Sequence, residues 1–254
     1  MIELINVTKN FGKKCAVDDL SLTVGKGEFF GLLGPNGAGK TTTIKMLAGL
    51  LRPDHGTVKI CGIDIREKPQ AAKMKTGYVP DAPYLYERLS AREFLEFVGG
   101  LYGMTQEKIN TQMQWLFELF GMNGWADRKC EEYSHGMRQK VIFSSAFVHS
   151  PEVLIVDEPM VGLDPQSMRL VKDILKLFSQ QRGTTVFVST HTLSIAEELC
   201  DRIGIVNNGK RVACGTLEEL YIEAESEGEN LEGMFLKMTG GQRIANLPTG
   251  ENIE

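Results

Sequence analysis

Apolar and polar positions alternate over residues 2–8 (Ile-Glu-Leu-Ile-Asn-Val-Thr) and again over Leu20–Val24, which predicts two half-buried strands. Gly25-Lys26-Gly27 supplies a turn, and Glu28–Leu33 then reads as a buried strand leading to a helix that opens at Thr42. Arg52–Gly56 breaks the chain. Short strands at Thr57–Ile60 and Ile63–Ile65, a short helix near Ala71–Lys75 and a strand at Thr76–Pro80 follow. From Ser90 to Ser150 the period changes. Phe94, Leu95, Phe97 and Val98, then Ile109, Met113, Leu116, Leu119 and Phe120, recur at helical spacing and are read as core. Ser134 caps the last helix of that stretch. Val153–Val156 is a continuous apolar run, the mark of a parallel strand covered on both faces. Asp164-Pro165 starts a helix striped by Met168, Val171, Leu175 and Phe178 and closed by Gly183. Thr185–Ser189 is another buried strand, Asn207-Asn208-Gly209 turns a hairpin, and Thr216–Glu219 is a capping-box helix start. The expected fold is α/β with a mainly parallel sheet, an N-terminal antiparallel β part and a helical subdomain inserted at about 82–150. The organisation expected is a domain over 1–224 and an acidic tail over 225–254, with a short helix at 231–238 and the last dozen residues mobile.

Chemistry enters at the first buried strand. Gly34-Pro35-Asn36-Gly37-Ala38-Gly39-Lys40-Thr41-Thr42 fits a glycine, four free positions and Gly-Lys-Thr, the phosphate-loop pattern. Backbone N–H groups converge on a triphosphate there, the Lys40 ammonium meets the β- and γ-phosphates, and the Thr41 hydroxyl ligates Mg²⁺. The helix that follows points its positive end at the anion. The chain therefore binds a nucleotide. Val153–Val156 ends in Asp157-Glu158, two acids where open α/β sheets gather ligands. Asp157 would hold Mg²⁺ through water and Glu158 would polarise the attacking water. His191, at the end of the strand Thr185–Ser189, is read as a γ-phosphate contact. Phe11 reads either as an adenine-stacking ring or as an aromatic at the core edge. Ser134 to Met137 reads either as an ordinary helix cap or as a second anion site.

Composition narrows the setting. A net charge of −5 argues against a broad nucleic-acid surface. The five cysteines lack metal-ligand spacing and read as reduced packing thiols of a cytosolic protein. No apolar run reaches the length of a membrane span, and Met1-Ile2-Glu3 does not begin a signal peptide. Work at a membrane would then require another chain to cross it.

Phosphate loop, helical insert, Ser134-His135-Gly136, Asp157-Glu158-Pro159, Leu163-Asp164-Pro165 and His191 follow one order. That order resembles the ATP-binding cassette (ABC) ATPases over essentially residues 1–220. The resemblance implies a RecA-like phosphate-loop core that hydrolyses ATP with Mg²⁺. It implies Phe11 as the ring on adenine, Glu158 as the catalytic carboxylate, His191 as the switch histidine and Asp164 in the loop that crosses a dimer. Tyr133–Met137 falls on the family signature, usually Leu-Ser-Gly-Gly-Gln, and reads Tyr-Ser-His-Gly-Met here, with Ser134, His135, Gly136 and Met137 at the nucleotide. That variant, and the tail over 231–240, look like the branch serving efflux and polysaccharide export. Asp81 stands where the family commonly has a metal- and water-binding Gln.

By the same resemblance the partners are a polytopic membrane permease and a second cassette, identical or related, joined head-to-tail, on the cytoplasmic face of the membrane. Asp81–Leu89, with Tyr84, Leu85 and Tyr86 in a connecting loop, is expected to be exposed and to dock the permease; the alternative there is that Tyr84 and Tyr86 pack on the helical subdomain itself. The alternative is a non-transport ABC ATPase acting on DNA, ribosomes or a regulatory partner. Such relatives typically carry a coiled-coil insertion or two cassettes in one chain, and neither is present.

Overall fold

Alternating burial makes the first strands. In β1 (Ile2–Phe11), Ile2, Leu4 and Val7 are buried, and β1 lies between β2 (Lys14–Val24) and β4 (His55–Ile60), antiparallel to both. β5 (Ile63–Asp64) closes this four-stranded sheet, whose order is β2-β1-β4-β5. The computed structural model describes residues 1–82, 84–160, 163–224 and 231–240.

The second sheet has the order β10-β9-β3-β8-β7-β6. It comprises β3 (Phe29–Leu33), β6 (Thr76–Val79), β7 (Val153–Asp157), β8 (Thr185–Thr190), β9 (Arg202–Asn207) and β10 (Lys210–Gly215). Every pairing is parallel except that of β9 with β10. Every residue of β3, β7 and β8 is buried, as strands covered on both faces require. Along β7, Val153 and Ile155 pack with the β1–β2 core and α1 (Lys40–Leu47), while Leu154 and Val156 pack with the helical region.

The helices of residues 82–150 are α3 (Ala91–Leu101), α4 (Gln106–Phe120) and α5 (His135–Phe147), after α2 (Pro69–Met74). Ser90 caps α3 through a reciprocal capping box with Glu93. The expected core positions Leu95, Met113, Leu116 and Phe120 are buried. Phe97 is not, with 47% of its surface exposed. Leu85, expected in an exposed loop, is 3% exposed and belongs to the core, whereas Tyr84 and Tyr86 beside it are 77% and 50% exposed. Pro83 lies outside the described residues.

α6 (Pro165–Arg182) starts on the Asp164 cap and ends on Gly183 in a left-handed conformation, as read from the sequence. α7 (Leu193–Leu199), α8 (Leu217–Glu223) and α9 (Leu231–Thr239) complete the chain order. α9 buries Leu231 and Met234 against Ile203, Ala213 and Leu220. The expected mobility of the last dozen residues falls outside the described residues. No described helix is long and apolar enough to cross a membrane.

The topology brings four strand ends together. β3, β8, β7 and β6 are adjacent and parallel, so the segments leaving their carboxyl ends lie side by side: the phosphate loop, Thr190-His191, Asp157-Glu158 and Asp81.

Candidate nucleotide-binding site

A cleft of about 430 Å³ opens at those strand ends, lined by Phe11, Lys14, Ala16, Asn36, Gly37, Gly39, Lys40, Thr41, Thr42, Asp81, Glu158 and His191. Its phosphate end needs glycine. Gly39 has φ 104°, and a Cβ there would stand 2.4 Å from the Ala16 carbonyl oxygen; a Cβ on Gly34 would stand 2.4 Å from the Val206 carbonyl oxygen. The loop is thus held by both the antiparallel sheet and β9. Pro35 and Ala38 shape it from outside the cleft, and the Ala38 N–H donates to the Pro35 carbonyl at 3.2 Å.

Lys40 is 7% exposed. Its Nζ donates to the carbonyls of Gly34 at 2.8 Å and Pro35 at 3.3 Å, and stands 3.9 Å from Glu158 Oε1. Burial lowers its pKa, while Glu158 and Asp157 pull the other way. Asp157 is 2% exposed and accepts a hydrogen bond from the Ser189 hydroxyl of β8. Burial raises its pKa; Asp81 and Glu158 add to the rise, and the Ser189 and Thr41 hydroxyls counter it.

Glu158 has φ 47°, a conformation that costs a branched or long side chain strain and is kept where surroundings over-determine it. Its N–H donates to the Ser189 carbonyl at 3.1 Å, and its Oε2 stands 2.9 Å from His191 Nδ1. The backbone N–H of His191 also donates to that oxygen at 3.4 Å. The glutamate therefore lies between Lys40 and His191 at the mouth of the cleft. Phe11 is 51% exposed, and its ring lines the far end of the cleft.

Ser134, His135, Gly136, Met137 and Asp164 are not among the residues lining the cleft. Ser134 and His135 are exposed, and the Ser134 hydroxyl accepts from the Met137 N–H at 3.3 Å as the α5 cap. A Cβ on Gly136 would meet Ser167 Oγ at 3.7 Å, so this turn leans on the start of α6. There Asp164 accepts from the N–H groups of Gln166 and Ser167 at 3.0 and 2.9 Å and from the Ser167 hydroxyl at 2.6 Å. These bonds, the Ser167 hydroxyl first, hold its carboxyl below the usual range. One chain thus presents two separate constellations. Ser189, Lys14 and Ala16 were not singled out from the sequence. Ser189 is one strand from Asp157 in register, a relation that strand pairing alone reveals.

The sequence profile described as "ABC transporter" matches residues 17–161. The chain belongs to the ABC transporter family. The cassette is 41% identical over 220 residues to the linearmycin resistance ATP-binding protein LnrL of Bacillus subtilis, covering 87% of this chain and 70% of that protein. Among solved structures it resembles an ATP-binding subunit of an ABC transporter, with a TM-score of 0.88 at 30% identity over 94% of this chain and 99% of that one. A bacterial ABC transporter cassette solved as a dimer matches with a TM-score of 0.79 at 26% identity, over 85% of this chain and 99% of that one. The cassette is an ATP-binding, ATP-hydrolysing subunit of an ABC transporter, and one solved relative of it is a dimer.

Proposed function

We propose that this cassette powers export through a separate polytopic permease, from the cytoplasmic face of the membrane, by closing head-to-tail on a second cassette with ATP between them. The observation that carries the dimer is the split just described. The cleft holds the phosphate loop, Glu158 and His191, while the capped α5 turn and Asp164 lie outside it on the same chain. A second copy facing the first would supply that turn, and with it exposed N–H groups at a helix N-terminus, to the open side of the phosphates. Export is supported by the signature variant and by a relative named a Nod factor export ATP-binding protein, 41% identical over 224 residues.

Within the cleft each side chain has a role. The phosphate loop and Lys40 bind and orient the triphosphate, and Phe11 stacks on the base. Glu158 accepts the proton of the attacking water, held in aim by its left-handed backbone. His191, on the other side of Glu158, fixes that carboxylate and meets the γ-phosphate. Thr41, Asp157 and Asp81 offer only hard oxygen donors around the Lys40 end, a donor set that fits Mg²⁺. These residues would hold Mg²⁺, which would supply positive charge and Lewis acidity beside the phosphates. The domain limits proposed are 1–224 for the cassette, with its insert at about 82–150, and 225–254 for the tail.

Glu158→Gln tests the proposal. The amide keeps shape but cannot take the proton, so turnover should fall at least ~10²-fold while ATP binding persists. Size-exclusion chromatography should then show an ATP-dependent dimer. A variant that stays monomeric with saturating ATP, or that turns over at the parent rate, would refute it.

A further inference from the structure

The base end of the cleft contains an unassigned cation. β1 and β2 are joined through Gly12-Lys13, with Gly12 at φ 58°, and Phe11 pairs directly with Lys14 across the hairpin. Directly paired residues of antiparallel strands send their side chains to one side, with Cβ atoms about 5 Å apart. Both line the cleft. The turn therefore clamps an aromatic face and an ammonium together at its rim.

Lys14 is also free. Lys9, the other cation beside Phe11, sits 5.7 Å from its ring centroid and is committed to Asp54 at 2.7 Å. Lys14 is exposed and forms no ion pair among the described residues. Of the cleft's lining, only Phe11, Lys14 and Ala16 come from the hairpin; the rest belong to the phosphate loop and the strand ends around it. Cys15, between them, turns its thiol to the Val17 carbonyl at 3.3 Å. The hairpin thus offers a base one ring face, one methyl group and one set of N–H donors, with no side-chain acceptor.

That inventory has a consequence for the base. A lysine ammonium donates only. Guanine presents two adjacent acceptors, O6 and N7, whereas adenine pairs N7 with a donating amino group. We infer that Lys14 reads the purine edge beside Phe11 and opens this site to guanine nucleotides. The inference rests on the placement of the base at Phe11. Its chemistry is recognition, so hydrolysis of GTP follows the same steps as that of ATP.

The experiment compares Kd and kcat/KM for ATP and GTP in the parent protein, Lys14→Met and Phe11→Ala. The parent should accept GTP within about an order of magnitude of ATP. Lys14→Met, which keeps an unbranched side chain without the charge, should lower kcat/KM for GTP about fivefold relative to ATP, the scale of one ordinary solvent-exposed hydrogen bond. An unchanged GTP-to-ATP ratio overturns the inference. An equal loss for both nucleotides does so too, because it would put the ammonium on phosphate or ribose. Phe11→Ala separates the failures: if it leaves both affinities intact, the base does not lie at Phe11 and the site reading fails, whereas weakened binding with an insensitive Lys14 sinks this inference alone.

Discussion

Lys40 is held by the loop it belongs to. Its ammonium meets the Gly34 and Pro35 carbonyls and stands 3.9 Å from the Glu158 carboxylate inside a largely buried setting, so its charge is fixed within the loop. Lys40→Ala should weaken ATP about 10- to 100-fold, the scale of a lost hydrogen bond to a charged group. Isothermal titration would show it, and an unchanged affinity would remove Lys40 from the phosphate site. Glu158 is the neighbour that most constrains the chemistry. Its left-handed backbone is fixed by the Ser189 carbonyl, and its side chain is fixed by His191. Ser189 in β8 and His191 just past it therefore fix the position of Glu158, just past the adjacent β7.

At the scale of elements, the α3–α5 junction holds the least comfortable group. His149, just past α5, stacks on Tyr102 with ring centroids 3.6 Å apart, and neither of its ring nitrogens has a hydrogen-bond partner. Burial pushes its pKa down to about 4, outweighing the nearby Thr76 backbone, which lies outside good hydrogen-bond geometry. The unfolded chain, with an ordinary histidine near 6.5, takes up a proton first as pH falls. His149's contribution is therefore intact above about 6.5 and is lost between there and about 4, by roughly 3 kcal/mol in all. His149→Phe keeps a flat ring on Tyr102 and removes this loss. Urea midpoints across that pH range should fall less steeply for the variant; parallel curves would show that His149 is not responsible.

The elements that could be read in advance are those whose signals are local. α6 carried its Asp164-Pro165 start, its stripe and its Gly183 stop, and the β9–β10 turn announced itself through Asn208 and Gly209, both with positive φ. α7 was missed because seven residues carry too little periodicity. The first half of β2 was missed because Lys14, Cys15, Asp18 and Asp19 break the alternation, with Asp19 at φ 51°. Phe97 continues the apolar stripe of α3 beyond the face that α3 buries, so spacing alone placed it inside. In the site, Lys40, Thr41 and the two acids were legible because their chemistry is carried by contiguous motifs. Ser189 and Lys14 owe their places to partners on another strand, which no contiguous motif encodes.

Over the whole molecule, the surface around Asp81–Leu89 carries exposed rings. Tyr84, Tyr86 and Phe97 form one exposed cluster, with Tyr86 5.9 Å from Phe97 and 6.2 Å from Tyr84 between centroids. Leu85, buried beneath them, anchors the loop. Exposed aromatic groups of this kind anchor interfaces, and the proposed permease would dock there. Tyr84→Glu with Phe97→Glu should release the cassette from permease-containing membranes on sedimentation, with basal ATPase kept. Loss of ATPase with membrane binding retained would make the cluster structural.

The separation of the α5 turn from the cleft has a further consequence at this scale. In the dimer proposed above, neither copy owns a complete catalytic centre, so the amount of competent enzyme in dilute solution grows with the square of chain concentration. A free cassette is then nearly idle, and nucleotide consumption is confined to places where two cassettes are held at high local concentration. A permease that tethers a pair would set that concentration and, through it, spare the cell from futile hydrolysis.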